Sequence, residues 1–367
     1  MKILVTGASG FIAKNLIVFL RATTSHDIVE YSHAMPEEKL KDACSDCNFV
    51  FHLAGVNRPQ DDSEFKCGNE DFTKKILFYL EEQNNCCPVL YSSSVQAELK
   101  NPYGISKKNA ESALLSYAER NKTKVFIYRL PNVFGKWSKP NYNSVVSTFC
   151  YNVSRDLPIK VNDSSYEMTL AYIDDVAAEF ISALNGEVKG GYCKPAVLYH
   201  CTVGELAEWI KSFAEMRKTR FVPNQENPLV SKLYSTYLSY LAQENFSYPL
   251  FMHEDSRGSF TEMIRTIGFG QFSVNISKTG IIKGNHYHHS KHEKFLVVSG
   301  EGSIRFRRID DEKVIEYKVS GKKLEVVEIP PGYTHLIENI GEGDLVTFMW
   351  ANENFDPQNP DTYALEV

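Results

Sequence analysis

The chain opens Met1-Lys2-Ile3-Leu4-Val5-Thr6-Gly7-Ala8-Ser9-Gly10-Phe11-Ile12-Ala13-Lys14. A short apolar run passes directly into a glycine-rich turn and then into a helix-forming segment. Gly7 permits a tight turn, and Gly10 lets the backbone approach a pyrophosphate. The small Ala13 stands where a third glycine would allow close helix–strand packing. The helix that follows offers free N–H groups and a positive dipole end to phosphates. Glycine turns are common, so the pattern alone is weak; its place straight after the first strand makes it a dinucleotide signal.

Further buried strands are expected over residues 28–31, 49–53, 89–92 and 125–129, with amphipathic helices over 69–83 and 106–120 between them. That alternation predicts an α/β, Rossmann-type, doubly wound parallel sheet covered on both faces. The second strand should end at the adenosine ribose, where an NAD site usually carries Asp or Glu. Here the chain reads Glu30-Tyr31-Ser32-His33. Glu30 falls early and His33 is available to a 2′-phosphate, so NADPH is expected over NAD, although no arginine follows.

The same half carries Leu90-Tyr91-Ser92-Ser93-Ser94 and, soon after, Pro102-Tyr103-Gly104-Ile105-Ser106-Lys107. Tyr103 and Lys107 are four residues apart and share a face if the segment is helical. A lysine ammonium beside a phenol favours the phenolate and lowers the tyrosine pKa. Tyr103 can then hand a proton to a carbonyl oxygen as a hydride arrives at its carbon. A serine at the end of the preceding strand can hold that oxygen; Ser94 is favoured, with Ser93 as the rival.

The pattern changes after Ser259. Short β-like runs at 271–277, 294–299, 303–308, 314–319, 324–329 and 345–350 are separated by Gly, Asp and Pro turns, which points to an antiparallel barrel or sandwich. Thr202 to Gln243 reads as mainly helical, and a linker is expected near 244–250. The division is placed at 1–245 and 246–367. In the second part, four of the ten histidines fall in Gly284-Asn285-His286-Tyr287-His288-His289-Ser290-Lys291-His292-Glu293. His286 and His288 alternate on one strand face, Glu293 can return a carboxylate, and His335 can close the shell from a later strand. Imidazole and carboxylate together suit zinc, iron or manganese. His289 and His292 are expected outside the ligand set.

Composition bounds the function. A net charge of −6 over 367 residues gives no basic field for nucleic acid. No stretch of about 20 residues is free of charges and breakers, and the apolar run at 3–5 is far shorter than a signal-peptide core of about 7–15 residues. No nucleic acid, no membrane insertion and a cytoplasmic location are expected. The eight cysteines lie within the first 201 residues without framework spacing, so reduced thiols are expected. Cys44-x-x-Cys47 has no second pair.

Taken together, the Gly turn, Ser94, Tyr103 and Lys107 resemble the extended short-chain dehydrogenase/reductase family, as do His52-Leu53-Ala54-Gly55, Tyr128 to Gly135 and Tyr172-Ile173-Asp174-Asp175. The resemblance covers roughly residues 1–245. It implies cofactor contacts at Gly7, Ser9, Gly10, Phe11, Ile12, His33, Leu53, Ala54, Gly55, Tyr103 and Lys107. Dehydratases of that family carry an acidic pair after the catalytic hydroxyl; Val95-Gln96 stands here, so simple carbonyl reduction fits.

The second half resembles the cupin superfamily. Gly280, His286, His288, Glu293 and Gly300 match its first motif, and Pro330, Gly332, His335 and Asn339 match the second, with Leu324 where an earlier glycine is expected. Asp255 to Glu262 and Gln271 to Ser277 resemble cupins that epimerise dTDP-4-keto sugars. That likeness implies two readings of His286: fourth metal ligand, or the base that removes a proton beside the ketone, with His288, Glu293 and His335 holding the metal. The base is favoured, and Tyr333 is a candidate acid.

The order of the two halves, with Asn57-Arg58-Pro59, Phe134 to Ser144, Tyr234 to Tyr240 and Phe355-Asp356-Pro357, resembles the bifunctional capsular polysaccharide and O-antigen enzymes of the UDP-N-acetyl-L-fucosamine route. That resemblance implies a UDP-linked 4-keto-6-deoxy amino sugar as substrate. It further implies epimerisation at carbon 3 in the cupin, NADPH reduction at carbon 4 in the first half, zinc, and a homodimer. The rival is a single-function ketone reductase whose cupin only binds or dimerises.

Overall fold

Ile3, Leu4 and Val5 are wholly shielded from solvent, which is why the opening run is a strand, β1 (Lys2–Thr6), buried on both faces. The computed structural model describes all residues, Met1–Val367. The chain then runs α1 (Phe11–Thr23), β2 (Asp27–Tyr31), α2 (Glu37–Asp46), β3 (Phe49–His52), α3 (Ser63–Phe65), α4 (Phe72–Glu82), β4 (Val89–Ser94), α5 (Pro102–Asn121) and β5 (Val125–Leu130). It continues through β6 (Asn132–Phe134), α6 (Val145–Val153), β7 (Glu167–Tyr172), α7 (Ile173–Leu184), β8 (Gly191–Cys193), β9 (Tyr199–Thr202), α8 (Val203–Thr219) and α9 (Pro228–Leu238).

A six-stranded sheet has the order β2-β1-β3-β4-β5-β8, and every pair in it is parallel. One core face joins β1, β3 and β5 to α1 and α7; the other joins the sheet to α2, α4 and α5. The doubly wound expectation is met. Because β1 has β2 on one side and β3 on the other, a crevice opens at their carboxyl ends, the place where such sheets bind ligands. A small sheet, β6-β7-β9, completes this part.

Two helices differ from the reading of the sequence. The helix expected at 106–120 begins earlier, at Pro102. Asn101 caps it by accepting from Gly104 N at 2.7 Å, and proline suits the first helical turn because its missing N–H has no partner there. Tyr103 therefore sits in the first turn. The helix expected from 69 is α4, preceded by a π-helical turn at Lys66–Asp71.

The second sheet system comprises β10 (His253–Asp255), β11 (Gly258–Arg265), β12 (Gln271–Ser277), β13 (Ile282–Tyr287), β14 (Glu293–Ser299), β15 (Glu301–Arg308), β16 (Val314–Ser320), β17 (Val326–Ile329), β18 (Tyr333–Asn339), β19 (Leu345–Ala351) and β20 (Tyr363–Ala364). They form two antiparallel sheets, β10-β11-β12-β19-β14-β17 and β16-β15-β18-β13-β20. Phe295, Val297, Ile304, Phe306, Ile329 and Ile337 fill the core between them. This is a cupin-like jelly roll.

The chain divides into two compact units, Met1–Ile210 with Lys232–Leu241, and Lys211–Ser231 with Ala242–Val367. It crosses between them within α8, within α9 and after Leu241, a few residues before the expected 245/246 boundary. Lys211–Ser231 goes with the second unit. There Arg220 O accepts from Arg265 N at 2.8 Å and Val222 N donates to Arg265 O at 2.9 Å. Arg220 and Arg265 both grip the buried Glu262 at 2.7 Å. No helix is long and apolar enough to cross a membrane.

Candidate active sites

In the first unit, Gly7 has φ +70°, and a Cβ on it would lie 2.7 Å from the Ala54 backbone. The turn after β1 thus abuts the chain leaving β3 at Leu53-Ala54-Gly55, on either side of the crevice. Gly10 is the N-cap of α1, and no side chain caps it. The first-turn N–H groups at Phe11 and Ile12 stay open to an anion, with Ser9 exposed beside them. The glycine cradle and the uncapped helix end fit a dinucleotide pyrophosphate.

The β1–β2 register pairs Thr6 with Tyr31, so Ser32 lies level with Gly7. Glu30 turns away and its carboxylate binds Arg21 at 2.6 Å. His33 is exposed in the turn that follows. A cleft of about 430 Å³ beside α1 is lined by Ala8, Lys14, Arg21, Glu30 and Trp137.

Lys107 is buried on α5. Its ammonium donates to Ser92 O at 3.0 Å, lies 4.7 Å from the Tyr91 ring centre and 6.0 Å from that of Tyr103. A Cβ on Gly55 would come within 3.0 Å of it, so the ammonium sits at the mouth of the crevice. Burial lowers Lys107 to about 8, with Glu111 working in the opposite direction. The Tyr103 phenol is held above its ordinary value by burial, and Ser94 is the group that lowers it. This corrects the expectation that Lys107 depresses Tyr103: the ammonium is engaged with Ser92 and Tyr91. A neutral phenol is the form that gives up a proton.

The two candidate serines part here. Ser93 Oγ donates to Glu111 Oε1 at 2.6 Å and is buried, whereas Ser94 faces the Tyr103 phenol. Glu111 has no exposed side-chain surface; it also accepts from Arg129 Nε at 2.9 Å and Nη2 at 2.7 Å, and from Tyr192. His52 is clamped between Thr6 Oγ1 and Thr73 Oγ1 at 2.8 Å each. Asn69, in the π-helical turn, donates to Ser106 Oγ and Val56 O and accepts from Val56 N. Glu111 and Asn69 were not singled out in the sequence, since nothing in their spacing marks them. Cys47 Sγ and Cys87 Sγ approach to 3.7 Å as buried free thiols.

In the second unit, β13 and β18 pair so that His286 stands opposite His335. The register slips between Gly284 and His286, with Asn285 at φ +56°, a bulge that re-aims the histidine strand. Ligand atoms of His286, His288, Glu293 and His335 lie within 4.8 Å of one another. His288 Nε2 is 3.4 Å and His335 Nε2 3.6 Å from Glu293 Oε2. Neither Nε2 has a hydrogen-bond partner, nor has His335 Nδ1, although all are buried. Buried polar atoms are rarely left so. Three imidazoles and a carboxylate at this spacing fit a four-coordinate divalent metal.

Burial, then the neighbouring His335 and His288, push His286 down to about 4, so its ring is neutral and able to take a proton or bind a metal. Burial raises Glu293, but the facing imidazoles more than reverse this and hold it well below the usual carboxylate range. His289 is exposed against Tyr363, and His292 is exposed against Trp350. Tyr333 lies two residues before His335 on β18, on the same strand face. Asp361, which the sequence reading passed over, reaches His288 from 73 residues away.

Known proteins share the two-part architecture. Residues 3–192 match the NAD dependent epimerase/dehydratase family, and residues 253–363 match the polysaccharide biosynthesis C-terminal domain. The chain is 45% identical over 368 residues to the UDP-2-acetamido-2,6-beta-L-arabino-hexul-4-ose reductase of Pseudomonas aeruginosa, covering 100% of this chain and 99% of that protein. It is 25% identical over 122 residues to the spore coat polysaccharide biosynthesis protein SpsL of Bacillus subtilis, covering 30% of this chain and 81% of that protein. The crystal structure of the capsular polysaccharide assembling protein CapF from Staphylococcus aureus superposes with a TM-score of 0.95 at 52% identity, covering 100% of both chains. The chain therefore belongs to the NAD dependent epimerase/dehydratase family, among the capsular polysaccharide enzymes that join a reductase half to a polysaccharide biosynthesis C-terminal domain.

Proposed function

We propose that the protein is a bifunctional nucleotide-sugar enzyme. Its second unit epimerises carbon 3 of a UDP-2-acetamido-2,6-dideoxy-4-hexulose, and its first unit reduces the carbon 4 ketone with NADPH, giving UDP-2-acetamido-2,6-dideoxy-L-talose for capsule or O-antigen synthesis. The observation that carries this reading is the presence of both sets of groups in one chain: Ser94, Tyr103 and Lys107 in one unit, and His286, His288, Glu293 and His335 in the other. The relative from Pseudomonas aeruginosa is named for a 4-ketone reduction on a UDP-amino sugar, which supplies the substrate class.

In the second unit, neutral His286 takes the proton from carbon 3, which the neighbouring ketone acidifies. His288, Glu293 and His335 would hold the metal, which we assign as zinc. When bound, the metal supplies a positive charge that stabilises the enolate oxygen. Tyr333 is the candidate that returns a proton to the opposite face. Reading His286 as the base would leave three protein ligands for the metal, the number usual in catalytic zinc sites.

In the first unit, NADPH supplies the hydride. Ser94 and Tyr103 hold the carbonyl oxygen, and Tyr103 donates its proton as the alkoxide forms. Lys107, fixed by Ser92 O, keeps a positive charge on the side of the Tyr103 ring, which favours the phenolate left behind when the proton is given up. The preference for NADPH rests on Ser32 standing where a ribose-binding carboxylate is expected, and on Lys14 in the adjoining cleft, whose Glu30 is paired with Arg21. His33 is placed near enough in sequence to contribute.

Two copies associate, in this reading, through the outer face of the six-stranded sheet in the second unit. The registers align Val274, Phe348, Leu296 and Val326 in one row across four strands, and Phe272 adds to it at 42% exposure. Apolar patches of this kind on a sheet mark association surfaces. Reaction with NADPH deuterated at the transferred position tests the reductase half: deuterium at carbon 4 of an L-talo product supports it, and a dehydrated or unreduced product refutes it.

A further inference from the structure

Resting on the metal reading above, we propose that residues 360–367 are a built-in positioning element of the second site. In it the Asp361 carbonyl selects the His288 tautomer, and the Asp361 carboxylate holds the loop that carries the histidine.

Asp361 O lies 2.6 Å from His288 Nδ1. A carbonyl can only accept, so Nδ1 carries the hydrogen and Nε2 keeps its lone pair. That lone pair faces Glu293 and has no hydrogen-bond partner. The opposite tautomer would set two lone pairs against each other and aim an N–H into the cluster, excluding a cation. Second-sphere acceptors commonly fix metal-binding histidines in this way.

The rest of the residue is built to hold that carbonyl in place. Asp361 has φ +39°, a left-handed conformation that Asp tolerates better than most residues. Its carboxylate accepts from His289 N at 3.0 Å, Ser290 N at 2.9 Å, Lys291 N at 2.8 Å and Ser290 Oγ at 3.1 Å. Lys291 is 7% exposed, and its ammonium grips both sides of Asp361, at Pro360 O (2.8 Å) and Thr362 Oγ1 (3.0 Å).

The segment then continues along the other histidines. β20 pairs with β13 at His286 and Tyr287. Leu365 N donates to Asn285 O at 3.0 Å, and Thr334 Oγ1, next to His335, donates to Leu365 O. Three of the four candidate ligands are thus touched directly or through their chain neighbours.

The test compares the full-length protein with its Asp361→Ala and Asp361→Asn variants. Zinc affinity is read by chelator competition, the site by the visible spectrum of the cobalt(II)-substituted protein, and the tautomer by nitrogen-15 NMR of histidine. Asp361→Ala keeps the carbonyl but frees it, and zinc affinity is expected to fall about 10–100-fold, with an altered cobalt spectrum. Asp361→Asn is expected to recover part of that loss, because its amide oxygen still accepts. NADPH affinity, read in parallel, stays unchanged and reports that the first unit is folded. Zinc affinity and cobalt spectrum identical to the unaltered protein in Asp361→Ala would overturn the proposal while leaving the metal reading intact. Absence of zinc and cobalt binding in the unaltered protein would overturn both.

Discussion

The two sites solve the problem of placing reactive groups in opposite ways. In the first unit the groups sit within one βα segment, and the polar atoms around them are largely paired: Lys107 on Ser92 O, Ser93 on Glu111, His52 between two threonines. In the second unit the groups come from three strands and a loop, and the Nε2 atoms of His288 and His335 converge on the same Glu293 oxygen at 3.4 and 3.6 Å without a hydrogen-bond partner. A self-satisfied site is pre-organised by its own fold. A site of converging, unpaired donors is organised around what it binds. The first should therefore tolerate loss of metal, and the second should not.

The sharpest way to break that contrast is to disable each half alone. Tyr103→Phe removes the proposed proton donor and is expected to lower ketone reduction by about 10²–10⁴-fold, while solvent hydrogen exchange at carbon 3 continues at its normal rate. Loss of both activities together would mean that the halves do not work independently.

The next effect is confined to the second unit. Glu293→Gln is expected to cut zinc affinity by more than the roughly 10–100-fold typical of outer-sphere changes, and prolonged chelation to empty the site of metal without altering that affinity. Exchange at carbon 3 should fall with metal content, and NADPH binding should stay within twofold (an order-of-magnitude bound of about 0.4 kcal/mol). Equilibrium dialysis and fluorescence titration read the two quantities on one sample.

A smaller effect sharpens the account of the first unit. Lys107 is lowered to about 8 by burial, and in the proposed mechanism its working form is the ammonium. The kcat/KM for reduction is therefore expected to hold below that value and to decline as pH rises through about 8. Glu111 raises Lys107, so Glu111→Gln should move the declining limb to lower pH. A limb that stays in place in a folded variant would remove Glu111 from the electrostatics of the site.

The smallest expected effect concerns the cofactor. Ser32→Asp introduces a carboxylate where the proposed function places the cofactor ribose, and should shift the NADPH-to-NADH preference in kcat/KM by about tenfold toward NADH, the equivalent of roughly 1.4 kcal/mol.

The same contrast decides what could be read from sequence. The glycine turn, Tyr103 with Lys107, and the histidine-rich strand are local patterns, so spacing alone displayed them. α5 starts four residues before the expected helix, and the signal for that start is Asn101-Pro102, a cap followed by a first-turn proline. β11 does not stand out among the short runs because its Gly258 and Glu262 interrupt the apolar pattern. The partners that tune the sites were out of reach. Glu111 meets Arg129 across two elements, Arg220 meets Glu262 across 42 residues of chain, and Asp361 meets His288 through a main-chain atom. Pairings of that kind depend on strand register and leave no periodic trace.

The most direct test of the central claim is solvent labelling. The protein is incubated with a UDP-linked 2-acetamido-4-keto-6-deoxy sugar in deuterated water, with and without NADPH. Mass and proton NMR read deuterium at carbon 3, and absorbance reads cofactor oxidation. Two sites acting in sequence predict deuterium uptake at carbon 3 without NADPH, and reduction at carbon 4 only with it. NADPH oxidation with no solvent deuterium at carbon 3 would contradict the account, leaving a plain ketone reductase with the second unit as a scaffold.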